Sequence, residues 1–351
     1  VLNATLATLA GPDREAGKRV AAYLDTLTKP PGSLGRLESL AVELAHITGQ
    51  DFPKVAPPGV LVFAADHGVA AEGVSAFPQE VTAQMVANFV AGGAAINAFA
   101  RQIGARLEVV DVGVASQLEG DGLVHDKVRP GTANIVCEDA MSREQAVCAI
   151  EVGIRAANRA LEAGCRCLIV GEMGIANTTA SSALLAVLSG SPLDELVGPG
   201  TGIEAERLVH KRSVIERAIE GRRADAEDPL EVLTKLGGLE IAAMTGAYLG
   251  AAARRTPVLV DGFIATVAAL VACRLRPEAR RAMIFGHRSR EPGHEVALAL
   301  LEGEPLLDLE LRLGEGTGAA LAYPILQAAT RMLSEMATFA SAGVGRDAPS
   351  P

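Results

Sequence analysis

Residues 166–184 read RCLIVGEMGIANTTASSAL. The run CLIV is continuously apolar rather than alternating, as expected of a strand covered on both faces. It stops at Gly171-Glu172, turns on small residues, and passes into a segment whose Asn177, Thr178 and Thr179 suit a helix start. A strand, a tight turn and a helix define one half of a βαβ unit. The same plan recurs outward in both directions. GVLVFAADHG (59–68), TPVLVDG (256–262) and RAMIFGH (281–287) are continuous apolar runs, and RLEVVDVG (106–113) and LLDLELRLGEG (306–316) read as two more strands. Helix-period segments lie between them, such as 80–104 and 143–164. This alternation predicts an α/β fold, a parallel Rossmann-like sheet with helices on both faces. Ligands of such sheets sit beyond the carboxyl ends of the strands. Asp66, His67, Asp111, Glu172, Asp261, His287 and Glu315 all fall there.

Two segments break the rhythm. Residues 1–45 and 203–250 read as helices and are expected to pack together as a small helical subdomain. Residues 46–202 and 251–340 then make the large α/β domain, with 341–351 a mobile tail.

Composition narrows the function. The 351 residues are 49% hydrophobic, ample for a sizeable core. Lys and Arg number 32 against 42 Asp and Glu, a net charge of −10, and Trp is absent. Neither a basic patch nor aromatic platforms are there for nucleic acid, and no anionic membrane surface is implied. The opening VLNATLATLAGPDREAGKRV has no signal-peptide pattern and LEIAAMTGAYLGAAARR is too short to span a bilayer, so a cytoplasmic protein is expected. Cys165 and Cys167 read as buried free thiols.

Several motifs carry chemistry. The helix start after Glu172 suits an anion, because its amides and dipole favour phosphate, although a plain capped helix reads the same way. GPGTGIE (198–204) is a second glycine turn, equally readable as a loop or a phosphate contact. Lys211 follows on a charged helix and reads as either a solvated or a phosphate-binding lysine. Glu315, set between Gly314 and Gly316, has the placing of a general base or of an exposed loop acid. PVLVDGFIATVAA (257–269) resembles the loop that holds a diphosphorylated ribose but has Gly262 where a second acid belongs, which disfavours diphosphate and Mg²⁺ chemistry. His67, His287 and His294 lack metal-ligand spacing and are expected to serve as hydrogen-bonding groups; no metal site is expected.

Together LTKPPGSLGRLE, FAADHGVAAEGVSAFPQEVTAQMV, GEMGIANTTASSAL, GPGTG, GGLEIAAMTGAYLGAA, VLVDGFI and LRLGEGTGAALAYPIL resemble, in order, the nicotinate-nucleotide–dimethylbenzimidazole phosphoribosyltransferases. The resemblance implies transfer of 5-phosphoribose from nicotinate mononucleotide to 5,6-dimethylbenzimidazole in cobalamin nucleotide-loop assembly, without a cofactor, by a homodimer. It implies Glu315 and Glu172 as the catalytic pair. The phosphoribose would be held by Gly174, Ala176, Asn177, Thr178, Gly200, Thr201, Gly202, Lys211, Asp261 and Ser289. The benzimidazole would lie against Ser75, Ala76, Phe77, Pro78, Gln84 and Leu313. One departure stands out: the family's usual glycine in GEMGIGNTT is Ala176 here. Alternatives are transfer from the diphosphorylated sugar, a related enzyme taking another azole, adenine or a phenol, and a nucleotide-binding regulator without chemistry.

Overall fold

Strands β1 (Pro58–Ala65), β2 (Arg106–Gly113), β3 (Leu123–His125), β4 (Cys167–Met173), β5 (Val258–Val260) and β6 (Met283–Phe285) form one sheet. In this computed structural model, which describes residues 1–200, 202 and 205–345, every pairing is parallel and the order is β3-β2-β1-β4-β5-β6. The continuously apolar runs become β1, β4, β5 and β6, buried throughout except at Met173. From β1 the chain builds outward through β2 and β3, then returns to lay β4 on the other side of β1. That reversal opens a crevice at the carboxyl ends of β1 and β4.

Helices α1 (Leu2–Thr8), α2 (Arg14–Leu24) and α3 (Arg36–Thr48) precede the sheet. Between β1 and β2 come α4 (Glu80–Ala91) and α5 (Ala95–Gln102), and α6 (Arg143–Glu162) leads to β4. The first turn of α6 is fixed reciprocally: Ser142 Oγ accepts from the Gln145 amide at 3.2 Å, and Gln145 Oε1 accepts from the Ser142 amide at 2.9 Å. After β4 run α7 (Asn177–Ser189), α8 (Leu193–Leu196), α9 (Ala205–Arg222), α10 (Pro229–Leu236) and α11 (Leu239–Ala253). Then α12 (Phe263–Leu275) joins β5 to β6, and α13 (Gly293–Leu300), α14 (Thr317–Glu335) and α15 (Phe339–Ala342) close the described chain. Helices α4, α5 and α14 cover one face of the sheet, and α6, α11 and α12 cover the other.

The segments 1–45 and 203–250 meet where α1 touches α11. Otherwise α2 packs on α3, α3 on α14, and α9 and α10 lean on α7. Helix α11 is buried from Leu239 to Ala252 and lies against β1 and β4. Its sequence is apolar almost all round, which suits a helix inside the fold. The tail begins inside a capped turn, since Thr338 Oγ1 accepts from the Ser341 amide at 3.0 Å; residues 346–351 lie outside the described residues.

Two strand readings need correction. The alternating leucines of 306–316 do not form a sixth strand. That segment runs extended beside the loop after β6, bonded through the Leu306 amide to Phe285 O at 3.0 Å and the Arg288 amide to Leu307 O at 2.7 Å. Leu306 and Leu307 pack against the core, whereas Leu309 and Leu313 are exposed. The sheet's other edge is β3, only LVH, too short to show a period. The stretch Glu80–Gln102 has the length and apolarity of a membrane span. It breaks at Gly92 (φ +81°) into α4 and α5, and both pack on the sheet.

Candidate active site

The crevice is built around two carboxyl groups from distant parts of the chain. Glu172 stands at the end of β4, and the loop carrying Glu315 folds onto that strand. A Cβ at position 171 would lie 2.3 Å from the carbonyl carbon of Glu315, so only glycine lets the loop settle there. Gly314 (φ +89°), Glu315 (φ +63°) and Gly316 (φ +87°) are left-handed in succession. A non-glycine residue in that region is strained, and such strain concentrates at functional sites. The Glu315 amide donates to Glu172 Oε1 at 3.4 Å, and the Ile96 amide, in the first turn of α5, donates to Glu315 Oε2 at 3.2 Å. Among the described residues, no hydrogen bond reaches Glu315 Oε1. The Asn177 side-chain amide donates to Glu172 Oε2.

Both carboxyl groups are buried, and burial sets their protonation. Glu172 is pushed up to about 8 by desolvation, with the negative charges of Glu240 and Asp261 adding to it; the donors Asn177 and Glu315 N–H only partly offset this. Glu315 is also raised by burial, moderated by the Ile96 amide. Asp261 accepts from the Ala319 amide at 2.9 Å and the Gly316 amide at 3.2 Å. It thereby pins the loop of Glu315 to the start of α14.

On the other flank, α7 begins after Ala176, whose φ of +73° is the conformation that glycine relieves. Lys211 is almost fully buried and donates to Thr178 Oγ1 at 2.8 Å and Gly198 O at 3.0 Å. Burial lowers its ammonium to about 8, against the pull of Glu291. Glu291 Oε1 accepts from the Gly200 amide at 3.1 Å, and Ser289 Oγ accepts from the Glu291 amide at 3.3 Å.

A cavity of about 420 Å³ joins these groups. Of the residues expected from sequence, Glu172, Glu315, Gly174, Asn177, Thr178, Gly200, Asp261, Ser289, Phe77 and Leu313 line it. Lys211 stands behind Thr178 and Gly200, and Ala176 is buried at the turn. Ser75, Ala76, Pro78, Gln84 and Gly202 are not part of the lining, and Thr201 lies outside the described residues. The Ser75 hydroxyl instead accepts from the Phe77 amide at 3.2 Å, shaping the turn that presents Phe77. Gln84 is exposed on α4, which turns Val81 and Met85 to the cavity. Those two, with Ile175, Phe263 and Ile264, form an apolar wall that the sequence reading missed, as it missed Glu291 and Arg312. The i, i+4 spacing of Val81 and Met85 was the available signal.

His67 and His294 act as hydrogen-bonding groups, as expected, whereas His287 only approaches Asp261. His67 Nε2 lies 2.5 Å from Glu240 Oε1, fully buried. His287 Nε2 lies 3.5 Å from Asp261 Oδ1, and His287 also lines the cavity. His294 Nδ1 accepts from the Ser289 amide at 2.8 Å, which leaves Nε2–H to donate to Thr266 Oγ1 at 3.0 Å. Cys165 and Cys167 are buried and unbridged.

An open parallel sheet with paired acids and a buried lysine beside a helix start defines an α/β transferase site of the kind that handles a phosphorylated sugar. A family model described as "Phosphoribosyltransferase" matches residues 9–344. The nicotinate-nucleotide–dimethylbenzimidazole phosphoribosyltransferase of Chloroflexus aggregans is 54% identical over 336 residues, 95% of each chain. The Pseudomonas fluorescens protein of the same name is 53% identical over 333 residues, again 95% of each. The crystal structure of CobT from Thermus thermophilus is 48% identical with a TM-score of 0.92, covering 95% of this chain and 100% of that one. The chain belongs to the nicotinate-nucleotide–dimethylbenzimidazole phosphoribosyltransferase family.

Proposed function

We propose that this chain transfers 5-phosphoribose from nicotinate mononucleotide to 5,6-dimethylbenzimidazole, releasing nicotinate and α-ribazole 5′-phosphate with inversion at C1′. The observation that carries this reading is the buried Glu315 carboxyl, strained into a cavity that has an apolar wall on one side and a lysine-backed helix start on the other.

The chemistry fits that arrangement. As the C1′–N bond breaks, its electron pair passes to the ring nitrogen, and the cationic pyridinium leaves as neutral pyridine. Departure therefore needs no proton and no Lewis acid. One azole nitrogen attacks C1′ while the other must shed its hydrogen. Glu315 Oε1 takes that proton; a positioned general base contributes about 10²–10⁴-fold. Val81, Met85 and Phe77 line the cavity and offer apolar surface to a flat aromatic base. Thr178 and Gly200 meet the 5′-phosphate, and Lys211 behind them supplies the positive charge and holds Thr178 Oγ1, fixing the ribose for in-line displacement. Burial favours the protonated form of Glu172. Entry of a cationic ring draws that proton off, and the resulting carboxylate faces the positive charge that grows at C1′.

A homodimer in the cytoplasm is part of the same reading. Family resemblance supports the dimer, and the buried unbridged thiols suit a reducing compartment. Sedimentation at micromolar concentration tests the dimer, and a monomer would remove it. For the activity, nicotinate release is followed on mixing the protein with nicotinate mononucleotide and dimethylbenzimidazole. Release that requires both substrates is the expected result. Release of diphosphate from a diphosphorylated sugar, or no release, would overturn the assignment.

A further inference from the structure

Behind the crevice lies an ion pair that the steps above do not use. His67 follows β1, and Glu240 is in the first turn of α11. Their side chains meet at 2.5 Å with almost no exposure, and Glu240 Oε2 is buried without a hydrogen-bond partner. The turn after Glu172 is wedged against this pair. A Cβ on Gly174 would lie 2.6 Å from Ala65 O, 2.9 Å from Glu240 Oε1 and 3.3 Å from His67 Nε2. Gly238, at the start of α11, is equally close, with a Cβ 2.4 Å from His67 Cε1 and 2.8 Å from Glu240 Oε2. The pair thus ties the ends of β1 and β4 to α11 at the point where the sheet order reverses.

We propose that His67 and Glu240 are a positioning pair that holds the Gly174 turn and, through the balance of their charges, sets whether Glu172 is ionised. This rests on the reading of Glu172 as the carboxylate facing C1′. The charged and polar groups around Glu172 are Glu240 and His67 behind it, Asp261 after β5 with His287 on its far side, the Glu315 loop above, and Asn177 on α7. Only Glu240 carries a buried countercharge at hydrogen-bond distance that can be removed without touching the cavity lining. Glu240 is the first charged neighbour among the causes raising Glu172, and on His67 burial is outweighed by Glu240 and, more weakly, Asp66, which raise the proton affinity of the ring. With the pair intact the His67 ring offsets only part of the Glu240 charge felt at Glu172. Removing one leaves the other uncompensated in a low-dielectric interior.

The test is the pH profile of kcat/KM for nicotinate mononucleotide in the full-length protein. Glu240→Gln removes a negative neighbour, and its acid limb should move to lower pH by about one unit. His67→Gln strips the cation from Glu240, and its acid limb should move to higher pH by a similar amount. The double variant should return toward the parent. A merely structural pair would lower the rate in both single variants and leave the limb in place, which would overturn the proposal; so would shifts of the same sign. Thermal melting identifies any variant that fails to fold. If His67→Gln does so, Glu240→Gln and the double variant decide between the outcomes. Glu172→Gln separates the two levels: full activity there removes the reading of Glu172 itself, whereas an inactive Glu172→Gln with immobile limbs removes only the pair's role.

Discussion

The backbone N–H of Glu315 points at the side chain of Glu172, 3.4 Å from its Oε1. The two acids are therefore held by one framework: a shift of the loop moves the base and unseats a hydrogen bond of its partner. Gly314 lets them come together, because a Cβ there would sit 2.3 Å from Glu172 Oε1.

If Glu315 removes the azole proton, Glu315→Gln keeps the shape and the Ile96 contact but loses the basicity. Turnover should fall by about 10²–10³-fold while KM for nicotinate mononucleotide changes less than about threefold. Steady-state kinetics with each substrate varied separates this from a structural defect, which would raise KM and lower kcat together.

Burial lowers the Lys211 ammonium to about 8. A phosphate needs the charged form, so KM for nicotinate mononucleotide should rise as pH passes from about 7 to 9. In the Glu172→Gln variant, where no proton can leave that side chain, binding at pH 8 should take up a fraction of a proton, since the bound anion favours the ammonium. Calorimetry in two buffers of different ionisation enthalpy measures that uptake, and proton release on binding would contradict it.

Ala176 carries a side chain at φ +73°. Ala176→Gly should relieve the left-handed strain and stabilise the fold by about 1 kcal/mol, a gain in Tm of roughly 2–3 °C for a chain of this size. Activity should stay within twofold. A lower melting temperature would mean that the buried methyl group contributes more than the strain costs.

His294 is buried and held neutral, with its proton affinity lowered to about 3, chiefly by desolvation and then by the positive charge of His287. A histidine lowered in the folded state contributes stability that is fully present above its unfolded value near 6.5 and is lost as pH falls toward 3. Between pH 6.5 and 4 the loss amounts to about 3 kcal/mol. His294→Gln, which can still bond Thr266, should show a flatter decline in urea-unfolding free energy over that range.

The sheet was readable because strands buried on both faces spell continuous apolar runs, so β1 and β4 declare themselves and place Glu172 at the crevice. The leucines of 306–316 misled because an extended edge segment has the same period as a strand; pattern records extension, not pairing. Gln84 and Val81 differ only in helical phase, and the phase of α4 is set by its packing on the sheet rather than by its composition. Glu291 comes from HRSREPGH, an irregular loop whose path no periodicity predicts, although His287 at its start was placed by the end of its strand. The His67–Glu240 pair was hidden for a related reason. Its members are 173 positions apart, and each looks like an ordinary polar residue until the chain folds.

The anchoring of Glu315 by the amide of Ile96, 219 positions earlier, has a consequence for biosynthesis on the ribosome. Most of the sheet can assemble while the last quarter of the polypeptide is still being made, but the proton acceptor is emplaced only when the late loop docks on segments translated long before. A nascent chain released before residue 316 would carry all six strands yet lack the Asp261 clasp on its reactive loop. The reactive loop is thus the part of the crevice that must wait for the end of the polypeptide.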